Sequence, residues 1–311
     1  MKIAILDDYQ DCVRSLEAFR KLDGHQVAVF HDTPRDRAVL AERLADAEAV
    51  VLIRERTTID DQLLERLPRL KLIAQTGKLA GHVDVEACRR RGIVITEGQG
   101  SGAAVAELTL LLVLASLRHL VAEANRLRRG EWQGSLGRQL AGRSVGLVGY
   151  GRVGSRVAAL LAACGARLRV WGRPSTLARA EAAGIATSAS LSELLATSDI
   201  VSLHLRLTAE TRHMIRPEHL AAMRPDALFV NTSRAEIVAP GALEEALRAG
   251  RPGWAAVDVF EEEPILGAYH PLLSLPNCLA TPHIGFVERD NYEAYFGSAF
   301  DSINSFARGC S

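Results

Sequence analysis

Short apolar runs alternate with longer amphipathic segments along almost the whole chain. Lys2 to Leu6, Val27 to Phe30, Ala49 to Ile53, Leu70 to Ala74 and Ile93 to Ile95 are brief and apolar enough to be strands. Between them, the spacing of Leu40, Leu44 and Ala47, and the run Val85 to Arg91 ahead of Gly92, predict helices. Strands alternating with helices form parallel sheets, so this first stretch predicts one α/β unit. A second series follows at Val145 to Val148, Arg167 to Trp171, Ile200 to Leu205, Leu228 to Asn231, Gly253 to Val259 and Cys278 to Ala280, with Leu243 to Arg248 among its helices. Residues 291 to 309 return to helical spacing at Tyr292, Tyr295, Phe296, Ala299 and Phe300, and are expected to pack back on the first unit.

Two stretches depart from this rhythm. After the glycine-rich Gly98 to Gly102, the run Ala103 to Leu120 is helical in spacing but apolar nearly all round, with Glu107 its only acidic residue. Such a helix must be buried, so it is expected to link the units and to form a homodimer contact. Arg126 to Gly142, with Gly130, Trp132, Gly134 and Gly137, keeps no period and predicts a surface loop.

Composition narrows the class. The 311 residues exceed the usual size of one domain, and 37 basic residues balance 37 acidic ones. That balance points away from nucleic-acid and membrane partners, which are held largely by clustered Lys and Arg. Cys12, Cys88, Cys164, Cys278 and Cys310 show no C-x-x-C spacing, so reduced thiols and no metal site are expected. The first apolar run meets Asp7-Asp8 too early for a signal peptide, and Leu108 to Leu117 is too short for a membrane span. A cytoplasmic protein is the expectation.

The chemistry centres on residues 145 to 154, where an apolar strand turns through Gly149, Gly151 and Gly154 into the small-residue run beginning at Val157. Strand, G-x-G-x-x-G and helix together are the context of a dinucleotide site. Gly149 permits a tight turn, Gly151 admits a diphosphate close to backbone, and Gly154 lets the helix pack closely, leaving the diphosphate on the helix amino terminus. An ordinary βα turn is the plainer alternative.

The strand Arg167 to Trp171 ends in Gly172-Arg173-Pro174-Ser175-Thr176, where an NAD site usually carries an acidic residue. With no carboxylate to repel it, a 2′-phosphate can be met by Arg173 and the hydroxyls of Ser175 and Thr176, which favours NADP over NAD. The alternative is that Arg173 stacks on adenine. In the first unit, Arg54 and Arg56 follow the third strand, and Gln75-Thr76-Gly77-Lys78 follows the fourth. Both loops lie at the carboxyl edge where open α/β sheets bind ligands, so Arg54, Arg56, Gly77 and Lys78 are candidates for holding an anionic substrate. Solvated surface charge is the plain reading of each.

Four motifs complete the picture: Val148 to Gly154, His204 leading to Leu207-Thr-Ala-Glu-Thr-Arg212, Val230 to Ala235, and Asp258 to Pro264 with Thr281 to Gly285. In this order they resemble the D-isomer-specific 2-hydroxyacid dehydrogenase family, most of all members labelled phosphoglycerate or hydroxypyruvate dehydrogenase. The resemblance implies two doubly wound parallel-sheet α/β domains. A Rossmann-type dinucleotide-binding domain, 102–284, is inserted in a flavodoxin-like substrate domain made of 1–101 and 285–311. The chain stops after one catalytic unit, so the C-terminal regulatory domain that some phosphoglycerate dehydrogenases carry is not expected.

Carried over to this chain, the family's catalytic set falls on Arg234, Glu263 and His283. An imidazole is suited to exchanging the C2 hydroxyl proton while hydride leaves C2. Glu263 then fixes the ring's tautomer, and Arg234 holds the substrate carboxylate and polarises the C2 oxygen. Glu261 and Glu262 are adjacent alternatives, but the family's acid directly precedes proline. Arg152, Val153, His204, Thr232, Ser233 and Gly285 fall in motif positions that line the cofactor, and Asp258 in the family contacts its nicotinamide side. Three residues depart from the pattern: Gly172 for an acid, Arg206 for a proline and Lys78 for a small residue.

The implied function is hydride transfer between NAD(P) and a D-2-hydroxy acid or its 2-oxo acid, including phosphorylated ones such as 3-phosphoglycerate. The alternatives are a dehydrogenase of the same fold with an unusual donor such as phosphite or formate, and a dinucleotide-sensing protein like the dehydrogenase-related corepressors.

Overall fold

In this computed structural model every residue is described except Arg35, Gln99, Cys310 and Ser311, so the predicted thiol Cys310 lies outside the described residues. The chain divides into two compact units, Met1–Ser101 with Val287–Ser311, and Gly102–Phe286.

The first unit is built on strands β1 (Lys2–Ile5), β2 (Gln26–Val29), β3 (Ala49–Leu52), β4 (Leu72–Gln75) and β5 (Val94–Glu97). All pair in parallel, in the order β2-β1-β3-β4-β5. This is the flavodoxin-like order, whose reversal between β1 and β3 opens a ligand crevice at the carboxyl ends of those strands. Aspartates start three of its helices: Asp36, Asp60 and Asp84 accept the amides of Ala38, Leu63 and Ala87. Each such cap contributes about 1 kcal/mol by satisfying a backbone donor the helix itself leaves open. The helix Arg289–Ala307 completes the core, with Phe300 edge-on to Phe19 at 6.3 Å.

The second unit holds β6 (Ser144–Val148), β7 (Arg167–Trp171), β8 (Ala186–Thr187), β9 (Ile200–Leu203), β10 (Leu228–Asn231), β11 (Trp254–Val257) and β12 (Cys278–Ala280). Their order, β12-β11-β10-β9-β6-β7-β8, is the doubly wound Rossmann arrangement with its switch between β6 and β9. Alternate strand residues feed opposite faces: Val145, Leu147, Ile200, Leu228 and Val230 join one core, and Val148, Val201, Leu203, Phe229 and Val257 the other. Burial on both faces is why these strands read as unbroken apolar runs. The two-sheet α/β expectation is met.

The predicted apolar helix is not one element. It runs Ala103–Leu117, breaks at His119, whose φ is 50°, and resumes as Leu120–Arg128, whose last three residues fall in the expected loop from Arg126. Within the second unit it buries Ala106, Thr109, Leu112, Val113 and Leu117, but Leu111 stays 54% exposed. One edge of the helix is therefore exposed in the single chain, as an expected contact with a partner subunit would leave it. The second helix escaped detection because none of its residues is buried, leaving no apolar stripe to read. Among the described residues no single helix is long and apolar enough to cross a membrane.

Candidate active site

The register of the second sheet makes the site legible. Trp171, Val148, Leu203, Asn231, Val257 and Ala280 form one continuous paired row. The residues one step on, Gly172, Gly149, His204, Thr232, Asp258 and Thr281, therefore line a single carboxyl edge. Parallel strands of matched length bring to one edge residues that lie far apart in sequence.

At the centre of this edge, Gly149 has φ 98° and a Cβ there would stand 2.5 Å from the His204 carbonyl oxygen. A Cβ on Gly154 would meet the Gly149 carbonyl oxygen at 2.6 Å, whereas one on Gly151 would enter open space. Gly151 is also the N-cap of the helix Arg152–Ala163, and no side chain caps that end. Open space above uncapped amide donors at the positive end of a helix fits a diphosphate. Arg152 is exposed, and Val153 packs on the core.

His204 supports this turn. Its ring meets Ser202 Oγ at 2.9 Å, and burial pulls its pKa down to about 4, so it is neutral at physiological pH. At the end of β7, a Cβ on Gly172 would lie 2.8 Å from Thr176 Cγ2, so the absent acid reflects close packing of the next helix. Thr176 is buried, which removes its hydroxyl from the predicted 2′-phosphate set, whereas Arg173 and Ser175 are exposed. Glu210, held below the usual carboxylate range by the Thr208 hydroxyl and more weakly by Arg173, adds a negative charge that sequence spacing did not reveal.

Beyond β10, Ser233 Oγ donates to the Leu203 carbonyl oxygen at 2.7 Å, and the buried Thr232 hydroxyl meets Thr109 Oγ1 at 2.9 Å. These hydroxyls tie the loop to its neighbours. Asn231 Nδ2 donates to the Arg234 carbonyl oxygen at 2.9 Å, fixing the backbone that carries the half-buried guanidinium.

Past β11, the buried Asp258 accepts from Thr281 Oγ1 at 2.6 Å and from the amides of Ile284 and Gly285 at 2.8 Å each. Burial raises its carboxyl above the usual range, against the lowering effect of these donors and of His283. His283 sits in the turn so formed with φ 50°, and its Nδ1 meets Glu263 Oε2 at 2.6 Å. The other carboxylate oxygen accepts the Phe260 amide at 2.9 Å. A ring tethered at Nδ1 keeps Nε2 for proton exchange.

In the first unit the predicted cations are already engaged. Arg54 has φ 59° and donates from Nη1 to the Tyr295 hydroxyl at 3.4 Å, and a Cβ on Gly77 would lie 2.6 Å from that nitrogen. Arg56 donates to the Asp7 carbonyl oxygen at 2.7 Å and lies 4.4 Å from the Tyr9 ring centroid. Lys78 is ion-paired with Glu97 at 2.6 Å, which offsets the point charge expected of that loop.

Two buried carboxylates at the β1 end, Asp7 and Asp8, were not anticipated as part of any site. Asp7 is raised by burial and accepts from Thr33 and Thr57 hydroxyls. Asp8, Asp11 and His31 bring ligand atoms within 4.8 Å of one another, a grouping no local spacing signals. His31 Nδ1 lies 3.1 Å from the Asp8 carbonyl oxygen, and its Nε2 lies 3.6 Å from Asp11 Oδ1.

Comparison with known proteins places these features. Residues 110–285 match the profile of the D-isomer specific 2-hydroxyacid dehydrogenase NAD binding domain. The chain is 38% identical to the glyoxylate reductase of Aeropyrum pernix over 90% of its own length and 85% of that protein. It is 33% identical to the D-3-phosphoglycerate dehydrogenase of Methanocaldococcus jannaschii over 99% of its length, which spans 58% of that relative. A phosphoglycerate oxidoreductase of Vibrio cholerae superposes with a TM-score of 0.97 at 49% identity, covering 99% of both chains. The chain belongs to the D-isomer specific 2-hydroxyacid dehydrogenase family. In class it is an NAD(P)-dependent dehydrogenase that acts on a CH–OH group.

Proposed function

We propose that this enzyme interconverts a small D-2-hydroxy acid and its 2-oxo acid, with His283 as general acid and base, Glu263 as its partner and Arg234 as the carboxylate clamp. The observation that carries the reading is the 2.6 Å bond between His283 Nδ1 and Glu263 Oε2, on the sheet edge that also holds the glycine cradle. In the oxidative direction His283 Nε2 takes the C2 hydroxyl proton as the hydride departs, and in reduction it returns that proton to the C2 oxygen. The bound nicotinamide supplies the hydride acceptor or donor. Arg234 presents a planar fork that pairs with the carboxylate and stabilises charge developing on the C2 oxygen. Gly149, Gly151 and Gly154 would hold the diphosphate, and Arg173 with Ser175 would meet the adenosine ribose or a 2′-phosphate, which favours NADP.

Relatives named glyoxylate reductase and D-3-phosphoglycerate dehydrogenase bracket the substrate. The Lys78–Glu97 pair favours a small 2-oxo acid, since the added cation of that loop is offset. Arg54 and Arg56, beside the switch between β1 and β3, favour the second reading, a phosphorylated acid. Oxidation of NADPH and NADH against 2-oxo acids with and without a phosphate decides between them. His283→Gln is expected to lower kcat about 100-fold to 10,000-fold with cofactor affinity kept. Turnover near normal in that variant refutes the assignment.

A homodimer is part of this proposal. Leu111, Leu114, Leu120, Val121 and Leu127 on neighbouring helices, with Trp132 and Leu136 beyond them, stay exposed. Exposed large apolar side chains concentrated in one stretch of chain favour an association site there. Light scattering at micromolar concentration is expected to give twice the chain mass of 33.7 kDa, and a monomeric mass overturns it.

A further inference from the structure

The loop after β11 carries two glutamates, each with a histidine partner. Glu263 meets His283, as described, and Glu261 Oε2 meets His270 Nε2 at 3.2 Å. His270 has no part in the chemistry assigned above, yet its side chain is only 16% exposed. It caps the 3-10 helix Pro271–Ser274, Nδ1 accepting the Leu272 amide at 3.3 Å, and stands edge-on to the Phe260 ring with centroids 4.9 Å apart. A backbone donor at Nδ1 requires a lone pair there, so the hydrogen-bond network assigns the proton to Nε2, which donates it to Glu261.

Phe260 connects the two pairs. Its ring leans on His270, and its amide donates to Glu263 Oε1 at 2.9 Å, while Glu263 Oε2 binds His283. His270 thus grips the side chains of two consecutive residues whose backbone aims the carboxylate. Phe260 itself is buried with Leu272 and Leu275, but a pocket of about 170 Å³ beside the loop, lined by Asn231, Val257, Glu261, His270 and Leu272 among others, leaves room on that side. A loop beside free volume can relax when a tether is cut.

We infer that His270 is a positioning residue for the Glu263–His283 pair, acting through Phe260 and Glu261. This rests on the reading of Glu263 as the partner of His283. His270→Asn separates the roles, because asparagine still caps the 3-10 helix but neither reaches Glu261 nor supports the Phe260 ring. Displacements near 1 Å in catalytic groups cost up to about 100-fold, so kcat should fall roughly 10-fold to 100-fold. KM for the oxo acid and cofactor affinity should each change less than about 3-fold, since neither contact involves His270. Glu261→Gln retains an acceptor for Nε2–H and should keep activity near wild type.

The deciding measurement repeats His270→Asn in a Glu263→Gln background. Residues acting through one another are non-additive, so the second loss should shrink to less than about 2-fold. An equal loss in both backgrounds, or an unchanged kcat for His270→Asn alone, overturns the inference. Should that variant fail to fold, Glu261→Ala cuts the Glu261 half of the clamp and should lower kcat by a smaller factor that likewise vanishes in the Glu263→Gln background; an unchanged kcat, or an equal loss in both backgrounds, overturns the inference. A Glu263→Gln single variant with near-normal turnover instead removes the underlying assignment, and so identifies which of the two has failed.

Discussion

Asp258 and Gly285 are bound to each other across 27 residues of chain, the glycine amide donating to Oδ2 at 2.8 Å. With Thr281 and Ile284 on the other oxygen, every acceptor of this buried carboxylate serves the turn that carries His283. Asp258→Asn places an NH₂ where an acceptor stood. At least one backbone donor is left unsatisfied at about 1–3 kcal/mol. The melting temperature should drop by roughly 3 to 10 °C for a unit of this size. Activity should fall with it, while NAD(P)H affinity holds within about 3-fold if Asp258 acts through the turn. An unchanged melting temperature would sink the view that Asp258 holds the turn together.

The glycine cradle predicts two different failures for two alanines. Gly151→Ala meets no atom within 4 Å and needs no positive φ, so the protein should fold normally. The new methyl occupies the approach to the diphosphate, and cofactor affinity should weaken about 10-fold or more. Gly149→Ala combines φ 98° with a contact at 2.5 Å to the His204 carbonyl oxygen, so it should lower stability as well. Calorimetric titration with NADH and a melting curve on each variant suffice. Equal melting temperatures in the two would contradict the distinction.

His204 gives the stability a definite pH dependence. Burial lowers its folded pKa to about 4 from a usual 6.5, so between those values the unfolded chain binds more protons. Stability therefore rises with pH through that window and is lost as pH falls from 6.5 towards 4, by up to about 3 kcal/mol. Urea denaturation at pH 7 and pH 5 should show a smaller difference for His204→Asn than for wild type. A difference of the same size in both proteins would assign the acid sensitivity elsewhere.

Arg173 tests the cofactor preference. Gly172 packs tightly on Thr176, and Arg173 beside it is exposed. Arg173→Ala should raise the KM for NADPH about 10-fold and that for NADH less than about 3-fold, in line with loss of one phosphate contact. Equal changes would show that Arg173 only stacks on the base, with Glu210 then the dominant nearby charge.

Much of this was legible in the sequence because parallel sheets buried on both faces write their strands as apolar runs. Eleven of the twelve strands coincide with such runs within a few residues, and the two-residue β8 was too short to register. The motif ends His204, Asp258 and Thr281 fell on one edge because the strands end in register. What stayed hidden depends on folding. No spacing shows that Lys78 meets Glu97, or that Thr176 turns inward under Gly172. His270 sits in an irregular stretch with no periodicity, so its clamp on the catalytic loop emerges only from tertiary contacts.

The discontinuous first unit has a consequence for synthesis on the ribosome. Residues 102–286, a complete unit with its own cores, emerge and can fold before Arg289–Ala307 exists. The sheet of the first unit, although its strands are made earliest, must wait for Phe296 and Phe300 to cover it. The nascent chain therefore carries an unfinished amino-terminal core throughout translation of its middle, and chaperone dependence should concentrate there.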